Sequence, residues 1–125
     1  MSRLSATHDK YRSHNELTWS RSEKVIARRA FDAALEREIH EVIQDAKKMA
    51  SQIKLSSDLW DLEHYLTQRR KEIDRKYDFR GSRLTDVLGR LLHENRLGEE
   101  DLRGLRENKL EPIRSFAKFL AEDAA

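Results

Sequence analysis

Asp61, Glu63 and His64 are the residues of this 125-residue chain that come nearest to a metal-binding constellation. Asp61 and His64 are three apart, so a helix would set them on one face. A two-metal site in a helical bundle takes several such carboxylate and histidine sets from facing helices. Only this partial one is present, and a solvated helix face accounts for it as well. His40 and His93 read as helix-surface residues in the same way. Catalysis lacks its other parts: there is no glycine-rich phosphate loop, no serine elbow and no cysteine. The expectation is a protein that is not an enzyme and holds no metal or other cofactor.

A second group of residues suits binding instead. Gln68-Arg69-Arg70-Lys71, with Arg75 and Lys76, is locally basic, but Glu72, Asp74 and Asp78 lie among its members. One account is i,i+4 pairing along a helix, with basic charge favoured near its C-terminus. The other joins Arg70 to Trp60, because an exposed Trp and Arg on one helix make typical binding anchors. The residues alone leave both accounts open.

Those residues need helices to position them. Hydrophobic residues form 38% of the chain and charged residues another 38%, with four glycines and one proline, which favours an all-α fold of long, exposed helices. Residues 1-18 are polar and lack apolar periodicity, so they read as a flexible arm. Ser20 followed by Glu23 has capping-box spacing, and the first helix should then run to about Ile53. Along it Leu35, Ile39, Val42, Ala46, Met49 and Ile53 alternate at spacings of four and three, the seam of a coiled coil or bundle, with Ile43 widening the stripe. Such a helix would be about 50 Å long, whereas a compact domain of this size is only about 36 Å across. One copy cannot cover that seam, so Leu35, Ile39, Val42, Ile43, Ala46 and Met49 are expected to form a homodimer interface.

The second helix is expected to start with Ser57 or Asp58 as its cap and to end at Gly81. Leu59, Leu62, Leu66, Ile73 and Tyr77 give it a buried stripe, which turns Trp60 and Arg70 outward. A third helix carries Leu84 to Leu92, a short fourth carries Leu102 and Leu105, and a terminal one carries Ile113, Phe116, Ala117 and Leu120. Pro112 is tolerated without a kink only in a first turn, which makes that last piece either a new helix or a bent continuation. This divides the chain into an arm (1-18), a long-helix region for dimerisation and partner binding (19-80) and a small C-terminal helical head (81-125).

Net charge is +2, from 25 basic and 23 acidic residues interleaved along the chain, so nucleic acid is not an expected partner. No stretch is long and apolar enough for a membrane span, and the absence of cysteine sits with a reducing cytoplasm.

The run Asp58-Leu59-Trp60-Asp61-Leu62, then Leu66, Arg70, Glu72-Ile73-Asp74, Lys76-Tyr77-Asp78 and Arg80, resembles the fluorescence recovery protein family of cyanobacteria. A weaker likeness extends from Trp19-Ser20 to Leu102. The resemblance implies an all-α dimer of two long antiparallel helices with a helical head. It also implies a regulator without pigment that binds the light-activated orange carotenoid protein, speeds its return to the resting form and ends phycobilisome quenching. The family's contact tryptophan and arginine fall on Trp60 and Arg70. Where the family has a histidine followed by an aspartate, this chain has Glu63 and His64, which places those two in the partner-binding set with altered polarity. Arg83 and Asp86 stand where the family's head is apolar. The alternative is a diverged homologue in a non-photosynthetic bacterium, acting as a homo-oligomeric scaffold or stress-related self-assembling protein. A minor third reading, a nucleic-acid accessory factor, rests on an isoelectric point near 9.0.

Overall fold

The computed structural model describes residues 18–124; the expected arm falls, apart from Thr18, outside the described residues. Four α-helices and one 3-10 turn follow in order, with no strand among the described residues: α1 (Arg21–Ser51), α2 (Ser56–Lys76), α3 (Leu84–His93), the 3-10 turn Glu99–Leu102, and α4 (Glu107–Ala124).

The start of α1 is a capping box. Ser20 Oγ accepts from the Glu23 backbone N–H at 3.2 Å, and the Glu23 carboxylate accepts from the Ser20 N–H at 3.1 Å. α2 folds back along α1 as a hairpin, tied by Tyr65 Oη donating to Asp45 at 2.7 Å. Neither Ser57 nor Asp58 caps α2. Leu55 holds the cap position, and Asp58, third in the helix, reaches back to accept from the N–H groups of Lys54 and Leu55, each at 3.0 Å.

The sequence also placed the end of α2 too late. The chain leaves the helix after Lys76 instead of at Gly81 because tertiary contacts outweigh local propensity. Tyr77 and Phe79 set their rings edge-on to Phe31, at 5.3 and 5.1 Å between centroids. α3 closes in a Schellman motif: Asn95 adopts φ 61°, while Arg96 N–H bonds Leu91 C=O and Asn95 N–H bonds Leu92 C=O. The short fourth helix is a 3-10 turn that includes Leu102 but not Leu105. Pro112 is neither in a first turn nor at a break, being the sixth residue of α4. Its missing N–H leaves the carbonyl of exposed Asn108 without an i+4 donor, a place where water reaches it.

The core lies at one end of the hairpin. Trp19, Ala27, Ala30, Phe31 and Ala34 pack with Leu84, Val87, Leu88, Leu91, Leu97, Leu102, Leu105 and Ile113. It therefore draws on residues from both sides of position 80. Gly89 brings α3 close to α4; a Cβ there would stand 2.8 Å from the Ile113 carbonyl oxygen. Between Glu38 and Ile73 no residue is buried.

Candidate partner surface and the charged hub behind it

The hairpin beyond the core carries the candidate site. On α2, Trp60 is 62% exposed, and Glu63, His64 and Arg70 are exposed as well. Positions 60, 63, 64, 67 and 70 share one helix face. Thr67 Oγ1 donates to Glu63 at 2.7 Å along it. Trp60 lies about a quarter-turn or more around the helix from the apolar stripe, while Arg70, four residues on from Leu66, stands at the stripe's edge; in the single chain that stripe is not buried as expected. Of its members only Ile73 is buried, while Leu59 and Leu66 are 46% and 40% exposed. The seam residues of α1 are likewise uncovered: Ile39 and Ile43 are exposed, and Leu35, Val42, Ala46 and Met49 are half-buried. One partly exposed apolar strip thus runs along both arms of the hairpin, left uncovered by the rest of the described residues.

The basic run divides in two. Arg70 stays outside, whereas Arg69 and Lys76 turn inward onto Glu38, which is fully buried. Lys76 Nζ spans both Glu38 oxygens at 2.8 and 2.9 Å, Arg69 donates at 3.0 Å, Tyr77 Oη at 2.8 Å, and Arg96 Nε lies 3.2 Å away. Burial pushes the Glu38 carboxyl up, but bonds from Lys76 and Tyr77 and the charges of Lys76 and Arg96 leave it below its ordinary value. Burial and the Glu38 carboxylate push the Tyr77 phenol up. The hub joins α1, α2 and the turn after α3, and so fixes the hairpin to the core.

A second buried carboxylate, Glu23, accepts from Arg106 N–H at 3.0 Å and pairs with buried Lys109 at 3.0 Å. Burial raises its carboxyl, but the N–H groups of Arg106 and Ser20 together with Lys109 bring it down to about 2. Sequence reasoning placed Glu23 in the capping box but missed that it and Glu38 are buried, although a signal existed. Ala27, Ala30, Phe31 and Ala34 form the core stripe, and Glu23 and Glu38 extend it at either end by four residues. A carboxylate in register with a core stripe implies a buried partner.

Asp61 and His64 sit on the exposed outer face of α2, and no metal-holding group of His, Cys, Asp or Glu occurs among the described residues. No helix there is long and apolar enough to cross a membrane.

Residues 19–117 match the family described as photoprotection regulator fluorescence recovery protein. The fluorescence recovery protein of Synechocystis sp. is 36% identical over 104 residues, covering 83% of this chain and 95% of that protein. The structure of the Fremyella diplosiphon fluorescence recovery protein is similar with a TM-score of 0.77 at 40% identity, over 81% of this chain and 99% of that one. The Synechocystis structure gives the same TM-score and coverage at 36% identity.

Proposed function

The chain belongs to the fluorescence recovery protein family of photoprotection regulators, and from that premise we propose that it is a non-enzymatic regulator of the orange carotenoid protein. It binds the light-activated form through Trp60 and Arg70, speeds return to the resting form and thereby ends phycobilisome quenching. Glu63 and His64 set which partner fits. The observation that carries this reading is Trp60. A large aromatic 62% exposed, on a helix face with Arg70 and outside the buried core, has the character of an interface anchor.

The regulator is a homodimer in this reading. Support comes from the strip of Leu35, Ile39, Val42, Ile43, Ala46 and Met49 with Leu59 and Leu66, which a second copy would cover. The test is dark recovery of the light-activated orange carotenoid protein, followed by absorbance, with and without this protein. The expected result is acceleration that Trp60→Ala and Arg70→Ala each reduce. No acceleration at excess would leave the self-assembling scaffold as the better reading.

A further inference from the structure

The first turns of α1 present a basic face that the partner patch on α2 does not use. Arg21, Lys24, Arg28 and Arg29 are all exposed, and Asp32 is the sole acid lining the same shallow groove. Asp32 pairs with Arg28 at 3.3 Å. Arg21, Lys24 and Arg29 form no ion pair with a described acid. Positive charge at a helix N-terminus opposes the helix dipole, and Lys24 and Arg28, four apart, repel each other. Arg28 is held by Asp32 and Phe79, but the fold gains no ion pair with a described acid from Arg21, Lys24 or Arg29.

The groove also has an apolar floor. Val25, 51% exposed, stands among the cations, and Phe79 forms the far wall with the Arg28 guanidinium 4.6 Å over its ring. Lys24 and Phe79 continue into a neighbouring hollow lined by Thr18, Trp19, Gly81 and Leu84. Cations around an apolar centre complement one kind of occupant.

We infer that this groove is a second docking surface, for an acidic polypeptide segment of a partner protein that carries an apolar side chain between its carboxylates. The segment's acids meet Arg21, Lys24 and Arg29, and its apolar side chain lies on Val25 and Phe79. A phosphate polymer fits less well, because the cations cover only the first turns of one helix and enclose a hydrophobic patch. Charge complementarity of this kind acts mainly on encounter rate and register.

The test is fluorescence anisotropy at about 150 mM salt, where surface charges are screened beyond roughly 8 Å. The probe is a labelled peptide of alternating Glu and Gly with a central Leu-Phe pair. An otherwise identical peptide with Gly in place of that pair, and oligothymidine of equal length, serve as comparisons. The expected result is that the Leu-Phe peptide binds best and that Lys24→Glu with Arg29→Glu weakens it about tenfold or more. Val25→Ser should weaken the Leu-Phe peptide alone. Trp60→Ala should leave this binding unchanged, which separates failure here from failure of the α2 patch. Equal binding of the Gly peptide, tighter binding of oligothymidine, or indifference to the charge reversals would each overturn the inference. All four substituted side chains, Lys24, Val25, Arg29 and Trp60, are exposed, so the variants should keep the native melting temperature.

Discussion

Glu38 is the residue on which the hairpin's attachment turns, and Glu38→Gln tests it. The amide keeps the shape but removes the charge facing Arg69, Lys76 and Arg96. Lys76 and Arg96 retain Glu94, and Arg69 retains Glu72, so the expected loss is about 3 kcal/mol, the low end for breaking a buried charge cluster. Urea unfolding measures it. Tyr77→Phe, which removes one hydroxyl donor to the same carboxylate, should cost about 1.5 kcal/mol. Glu23 gives a pH signature. Its carboxyl lies at about 2 in the fold against an ordinary 4.5, so its contribution is complete above pH 4.5 and fades as pH falls toward 2. The stability difference between the native protein and Glu23→Gln should therefore shrink across that window. Trp60 and Arg70 are both exposed, as their spacing from the leucines of α2 implied, but Arg69, one residue away in the same basic run, turns onto buried Glu38. Charge type and spacing do not tell these two arginines apart; only the location of Glu38 on the opposing helix does.

At the scale of the elements, the periodic signal found each helix, while caps and terminations depended on distant contacts. The Ser20 capping box is local, and it was legible. The end of α2 was not, because Phe31, some 46 positions before Tyr77 in the chain, draws Tyr77 and Phe79 out of the helix. The approach of α3 to α4 gives a prediction of opposite sign to helix propensity. Gly89→Ala favours the isolated helix by about 1 kcal/mol, yet its methyl meets the Ile113 carbonyl oxygen and Phe116 Cβ at 2.8 and 3.0 Å. Backbone at such a distance cannot yield freely, so net destabilisation of about 1–3 kcal/mol is expected. Thermal unfolding followed by circular dichroism would measure it, and an unchanged or raised melting temperature would mean that the two helices part without cost.

Across the described residues, the core occupies one end and the hairpin projects from it with its apolar strip partly exposed. Ile43→Glu tests the second-copy reading: two symmetry-related carboxylates in a dry seam would cost several kcal/mol each. Light scattering after size exclusion should then report monomers at low micromolar concentration. A fully dimeric variant would place Ile43 outside the seam. The geometric reason for expecting a dimer was legible in the sequence as a stripe too long for one compact domain. Which residues of α2 join that stripe was less so, since burial within one chain and burial between copies leave the same pattern.

The pairing of Glu23 with Lys109 also orders events during synthesis. The carboxylate that starts α1 finds its buried cation 86 positions later, in α4. Until then the nascent chain carries a core-facing acid without its counter-charge, and the capping box alone shields it. Closure around Glu23 therefore waits on α4, and a chain cut short before Lys109 should lose the cooperative thermal unfolding of the intact one.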